Sequence, residues 1–287
     1  MECIEVISIG QVALDIVGVT EQRDLPPGTA VRLRSVRYML GGAAANFAIS
    51  SKVLGKRRAA VMSKVGSDAL SSAMKMRIEE LGIKTFIDVV DGPPHIVVSV
   101  VRPDGGRTLI GAMNENLLLS VEDVEKKLDA LYGDCIRSVH MSYIRPDIVS
   151  KVLKILRERN DDVVVTYKPG IYMKGLISEG RFLEVDLIQS TLTDIQLPEL
   201  TGFDTLLLEH DRGFSLYING EEVSRVILSS RDRTGSGDIY TGLLVSKFLY
   251  HHDWLAAFEE TAEIIQRVDS PWLLGERILF DRNGEIQ

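Results

Sequence analysis

The stretch Asp232-Arg233-Thr234-Gly235-Ser236-Gly237-Asp238-Ile239-Tyr240-Thr241-Gly242 follows a strand-like, β-branched run (Val223 to Ser229) and opens an apolar helical segment, Ile239 to Tyr250. A turn of small residues with two glycines lets the backbone N–H groups of Gly235, Ser236, Gly237 and Asp238 converge on one point. The N-terminus of the following helix adds its partial positive charge there. That combination is an anion hole, with Asp238 at its rim. A carboxylate so placed is electrostatically favoured and expected to be unpaired, as suits a general base that takes a proton from an alcohol. Read alone, the same stretch is equally an ordinary glycine-rich turn with Asp238 as the N-cap of its helix.

Upstream, Ile4 to Ile9 has the pattern of a short buried strand ending at Gly10. Asp15 is expected just past the strand's C-terminal end, where open α/β sheets bind ligands, although a loop aspartate starting a turn is the plainer reading. Ala30 to Met39 alternates apolar residues with Arg32, Arg34 and Arg37, a half-exposed strand. Gly41-Gly42-Ala43-Ala44-Ala45-Asn46-Phe47-Ala48 then leads into a helix through Leu54. So little side-chain bulk lets a ligand lie against the backbone, and Asn46 offers a donor and an acceptor to hydroxyl groups. Close packing of a helix onto a sheet asks for the same small residues, and both readings stand.

His95 to Val101, Arg102-Pro103-Asp104-Gly105-Gly106-Arg107 and Thr108 to Ala112 read as a hairpin with Asp-Gly at its turn. With residues 15–40 it is expected to form a small sheet, built from about 15–40 and 95–112, that covers Asp15 and Asn46. Downstream, strands and helices alternate: a helix from Ser120 with a capping box to Asp123, a strand at Ser138 to Ser142, a helix from Pro146 to Arg159, and strands near Val163, Val185, Thr205 and Phe214. A last helix is expected from Trp254 to Val268. Such β–α alternation argues a mainly parallel sheet with helices on both faces, and residues 1–287 as a single α/β domain.

The chain has 287 residues, 45% of them hydrophobic, and a net charge of -8. An acidic surface argues against non-specific nucleic-acid binding. Cys3 and Cys135 match no metal or redox spacing, which fits a reducing cytosol. The start lacks the basic region of a signal peptide and no apolar run is long enough for a bilayer, so the expectation is a cytoplasmic protein away from membranes. The five histidines show no zinc spacing, the Walker pattern is missing, and Tyr240 stands where a dinucleotide fingerprint needs glycine.

Two motifs in this order resemble the ribokinase-like (PfkB) carbohydrate kinase family. GGAAANFA followed by Gly55 and Gly66 is similar to that family's first signature, DRTGSGDIYTG to its second, and RPDGGRT to its lid hairpin. The resemblance spans essentially the whole chain and is weakest from about Thr166 to Arg212 and after Leu255. It implies a ribokinase-like three-layer α/β/α sandwich with a mainly parallel central sheet and a small β-sheet lid. It implies transfer of the ATP γ-phosphoryl group to a hydroxyl of a sugar or nucleoside. Asp238 would be the base, and Gly235, Ser236 and Gly237 the anion hole. Asp15, Gly41, Gly42, Asn46 and Arg107 would bind the acceptor. Thr191, Asp194, Leu208, His210, Gly213 and Thr234 would lie along the nucleotide. ATP and Mg2+ are the implied cofactors, with Asp194 reaching the metal through water, and with a monovalent cation as an accessory. A homodimer through the open edges of the lid is a further expectation.

Several positions depart from the family pattern. Its Asn-x-x-Glu motif aligns with Thr191-Leu192-Thr193-Asp194, its Thr-x-Gly segment with Leu208-Glu209-His210, and its Asp-Pro pair with Lys168-Pro169. Arg233 replaces a small residue, and the helix expected beside adenine carries Glu259, Glu260 and Glu263. Glu209 would repel a polyphosphate unless a cation intervenes. An alternative is therefore a kinase-like protein with an eroded nucleotide site that binds a sugar, a nucleotide or a partner without efficient catalysis.

Overall fold

A computed structural model of the chain describes residues 3–24, 27–131, 135–178, 183–195, 202–228, 235–267 and 277–279. Its strands are β1 (Val6–Gly10), β2 (Ala13–Thr20), β3 (Leu33–Gly41), β4 (Ala59–Val65), β5 (Lys84–Val89), β6 (His95–Val101), β7 (Arg107–Ala112), β8 (Ser138–Ser142), β9 (Val164–Lys168), β10 (Leu187–Thr191), β11 (Thr205–His210), β12 (Gly213–Ile218) and β13 (Glu221–Ile227). Its α-helices are α1 (Ala43–Val53), α2 (Ala69–Glu80), α3 (Val121–Ala130), α4 (Pro146–Arg159), α5 (Met173–Ser178), α6 (Ser236–His251) and α7 (Trp254–Arg267).

The large sheet runs β13-β12-β11-β10-β9-β8-β1-β4-β5. From β11 to β5 all pairs are parallel, and the two strands at the other edge are antiparallel. Parallel strands need helical crossovers, which cover both faces of the sheet. One apolar core joins Ile7, Val139 and Val165 to Val124 of α3 and to Val149 and Val152 of α4. The other joins Leu187 and Leu207 to Ala45 and Ala48 of α1, Leu244 of α6 and Phe258 of α7. The result is three layers, helix, sheet and helix, as the β–α alternation predicts. Local chemistry agrees with the chain reading at the helix starts. Ser120 and Asp123 close their capping box on α3, and the Asp68 carboxylate accepts from the amides of Leu70 and Ser71 at the start of α2.

The smaller sheet has the order β3-β2-β6-β7, entering the chain between β1 and α1 and again between β5 and α3. β2 pairs parallel with β6, and β3 and β7 flank them antiparallel. Two details differ from the expectation. Asp15 lies inside β2 rather than in a loop past β1, and Lys84–Val89 adds an edge strand beside β4. The alternation of β2 is masked by Asp15, a buried carboxylate at 5% exposure on an otherwise apolar strand.

Cys3 and Cys135 depart from a further expectation, that of cysteines in a reducing cytosol, for they are joined as a disulfide with Cα atoms 5.6 Å apart. The strand register explains it. Val6 stands opposite Ser138 where β1 and β8 pair, so three residues back along both strands Cys3 faces Cys135. No local spacing carries that signal, because the two cysteines are 132 residues apart. Among the described residues no helix is long and apolar enough to cross a membrane.

Candidate active site

The period of two along parallel strands sorts the site residues before any helix is considered. On β8 to β11, Met141, Tyr167, Ile188 and Leu208 face the core beneath α3 and α4. Lys168 at the end of β9, Gln189 in the middle of β10 and Glu209 near the end of β11 lie on the opposite face, where α6 begins. The register sets Glu209 opposite Thr191, two residues beyond Gln189, so the Gln189 and Glu209 side chains reach the helix start from successive rungs.

α6 starts at Gly235, whose φ of 78° is a left-handed turn that glycine adopts without strain, and no side chain caps the helix. The amides of its first turn have no partner within the helix and point outward with the positive end of its dipole. A Cβ at Gly237 would stand 2.4 Å from both Gln189 Nε2 and Glu209 Oε2, so only glycine lets these two side chains close on the helix start. Ser236 Oγ donates to Glu209 Oε1 at 2.6 Å. The Gln189 amide, 1% exposed, has no hydrogen-bond partner on either its oxygen or its nitrogen.

Asp238 is buried in the first turn of α6, and its Oδ1 accepts a hydrogen bond from Lys168 Nζ in an ion pair. Both sequence readings of Asp238 are thereby corrected: it is not the N-cap, which is Gly235, and it is not unpaired. Lys168 Nζ also lies 5.4 Å from the centre of the Tyr143 ring. Burial acts to lower the Lys168 pKa, but the Asp238 carboxylate, with Tyr143 and Glu209, outweighs it and holds the ammonium above the ordinary lysine range. Behind Lys168, His140 is fully buried. Burial first, and the lysine's charge second, push it down to about 3, so it is a neutral imidazole.

The second half of the site lies where β2, the end of β3 and α1 meet. The Asp15 side chain packs on Gly41, where a Cβ would sit 2.1 Å from its carboxyl carbon. Asn46, 2% exposed, comes within 2.7 Å of the position of a Cβ on Gly235, and its Oδ1 has no partner. Arg277, fully buried, reaches in from the far end of the chain. Its Nη2 donates to Asp15 Oδ2 at 2.5 Å and its Nε to the carbonyl of Leu40 at 2.9 Å. Its Nη1 is 3.1 Å from the place of a Gly235 Cβ. Ile278 and Leu279 then pair with the end of β3. Nothing in the sequence announces Arg277; it follows a segment with weak family resemblance.

The remaining candidates are placed as follows. Gly42 precedes α1, close against the backbone of Gln11. Thr191 Oγ1 donates to Asp194 Oδ2 at 2.7 Å, which ties that carboxylate back to the end of β10. Leu208 points into the opposite core, so only its backbone faces the site's edge. His210 and Gly213 flank the turn between β11 and β12. Arg107 is exposed at the start of β7, opposite Val101, whereas Asp15 aligns with Val97 and Gly111. Four rungs, roughly 13 Å along the strand, separate their backbones. Thr234 and Arg233 lie outside the described residues. Among the described residues no three His, Cys, Asp or Glu side chains converge as a metal cage.

Comparisons with known proteins bear on the family and the fold. The chain is 22% identical over 262 residues to a nucleoside kinase of Methanothermobacter thermautotrophicus, covering 85% of this chain and 82% of that one. In three dimensions it resembles the ribokinase of Giardia lamblia, with TM-score 0.73, 18% identity, and 92% and 90% of the two chains covered. It also resembles the Methanocaldococcus jannaschii nucleoside kinase, with TM-score 0.69, 17% identity, and 96% and 95% covered. Residues 4–191, from the strand before Asp15 to the end of β10, match the pfkB family carbohydrate kinase description, and the chain belongs to that family.

Proposed function

We propose that this protein transfers the γ-phosphoryl group of ATP to a hydroxyl of a sugar or nucleoside at the N-terminal end of α6. The observation that carries this reading is the meeting of Asp238, Gly237, Gln189 and Lys168 at one buried point where the α6 helix begins against β9 and β10. The acceptor oxygen bonds to the γ-phosphorus as the bond from phosphorus to the bridging oxygen of ADP breaks, its electron pair leaving with ADP. The hydroxyl proton goes to the Asp238 carboxylate. The first-turn amides from Gly235 to Asp238 meet the charge on the phosphoryl oxygens.

Asp15, Gly41, Gly42 and Asn46 orient the acceptor's hydroxyls, and the unpartnered Asn46 oxygen supports that role. The ends of β10 and β11 and the β11–β12 turn, carrying Thr191, Asp194, Leu208, His210 and Gly213, hold the nucleotide. Asp194 fits a magnesium ion that keeps its own waters, since that carboxylate is already bonded to Thr191 and one oxygen donor suffices for such binding. When bound, Mg2+ supplies charge neutralisation between the phosphates. The small sheet acts as the lid, excluding water from the transfer. Val36 and Tyr38 on β3 and Leu109 and Ile110 on β7 are exposed on it, which favours a dimer through the lid. Sedimentation as a monomer at micromolar concentration would refute the dimer.

The departures in the nucleotide half favour an active site over an eroded one. Lys168 and Glu209 are not scattered charges; both are drawn into one buried group around Asp238 and Ser236. ADP release across a panel of sugars and nucleosides tests the reading. Asp238→Asn is expected to lower turnover by about 10²–10⁴, the usual worth of a positioned base. Near-normal turnover by that variant would sink the assignment.

A further inference from the structure

We propose that Lys168 is the cation that meets the phosphoryl group in transit: held by Asp238 in the ligand-free fold, its ammonium moves to the phosphoryl oxygens and frees the carboxylate to take the proton. The inference rests on the phosphotransferase reading above and adds a residue to it. Its starting point is a buried meeting of charges. Among the described residues, Asp238 on α6 and Glu209 on β11 come together at the helix start, with the Lys168 ammonium bonded to the first and drawn by the second. Tyr143, just past β8, and the neutral His140 also face it. An arriving phosphate brings further negative charge to the same point, and Lys168 is placed to offset it.

Geometry makes the exchange short. Asp238 is a first-turn residue, so an ammonium bonded to its carboxylate already lies beside the amides expected to receive the phosphoryl oxygens. Lysine is a compact charge on a four-carbon stem with several rotors, so it changes partner without movement of its strand. Gln189 is an independent pointer to an anion site at this turn. Its amide is buried, unpartnered at both ends, and its nitrogen is aimed at Gly237 in the same turn. A buried amide pays a desolvation cost unless something accepts its hydrogens, and a phosphoryl oxygen at the helix start would do so. The ion pair is also poorly explained by stability alone, since buried pairs often contribute little over apolar residues of equal volume.

The test uses the full chain with ADP, Mg2+ and aluminium fluoride as a mimic of the phosphoryl group in flight, read by calorimetry, alongside steady-state turnover. Lys168→Met is expected to weaken binding of ADP with aluminium fluoride at least about 30-fold while ADP alone changes less than about threefold. It should lower kcat by about 10²–10³ with acceptor KM within about threefold, the pattern of an interaction made only in the transition state. Lys168→Arg should recover part of both. If Lys168→Met proves unstable with Asp238 left buried and unpaired, Asp238→Asn is compared with Asp238→Asn/Lys168→Met, and the double variant should bind the mimic at least about tenfold more weakly. Equal binding of the mimic with and without the lysine overturns the proposal, whatever the turnover. A wild type that transfers no phosphate yet binds the mimic through Lys168 supports this inference and defeats only the kinase reading.

Discussion

His140 occupies the middle of β8, fully buried, with Nδ1 2.9 Å from Thr166 Oγ1 and its ring stacked on Phe47 at a centroid distance of 4.1 Å. Folding holds this imidazole neutral, pushed down to about 3, and burial lowers His95 in the same direction. As pH falls below the unfolded value near 6.5, the unfolded chain takes up protons that the native protein refuses, so stability falls with it. The window from pH 6.5 to 5 lies above the carboxylate range and isolates the histidines. Across it, urea unfolding should show a loss approaching about 1.4 kcal/mol per pH unit from His140, and His140→Gln should remove that part of the slope. An unchanged slope in that variant would show that His140 is not the group responsible. At this scale the chain was unevenly legible. Asp238, Asp15 and Asn46 are marked by their neighbours in sequence. Lys168 is visible only as a reversed charge, because its partner is set by which strand ends beside which helix. Arg277 carries no local signal at all.

The small-residue stretch that opens α1 allowed two readings, a floor for a ligand and a surface for close packing, and the packing is seen in the structure. Ala44, Ala45 and Ala48 enter the core shared with α6, while Asn46 faces Gly235. The two helices approach so closely that Ser50 Oγ donates to the carbonyl of Ile239 at 2.5 Å and Ser51 Oγ to that of Gly242 at 3.1 Å. A Cβ on Gly242 would lie 2.4 Å from the carbonyl oxygen of Phe47, and backbone cannot swing aside as a side chain can. Gly242→Ala should therefore cost about 1–3 kcal/mol in denaturant unfolding despite its better helix propensity. Gly175→Ala in α5, where an added Cβ meets nothing within 4 Å, is the control and should be neutral or slightly stabilising. Equal effects of the two changes would remove packing as the explanation. Elements whose apolar period is clean, such as β8 and α4, are readable from sequence. β2 is not, since its buried carboxylate is balanced by an arginine 262 residues away.

Over the whole molecule, the two stretches that resemble the family's signatures lie far apart in the chain and come near one another, Asn46 against Gly235, because successive strands are laid outward from β1 in both directions. The order of elements was legible; the closing contact from Arg277 and the link between Cys3 and Cys135 were not, because both depend on completed register rather than on local pattern. That link divides the molecule in a way the layers do not. Residues 3–135 form a covalent ring that contains Asp15, Asn46 and the whole small sheet, while Lys168, Gln189, Glu209 and Asp238 all lie on the open chain beyond it. The cluster around Asp238 thus sits at the seam between a ring and a tail. A single backbone cut within the β6–β7 hairpin would release no fragment while the link is intact, and the severed small sheet would stay tethered to the rest of the molecule.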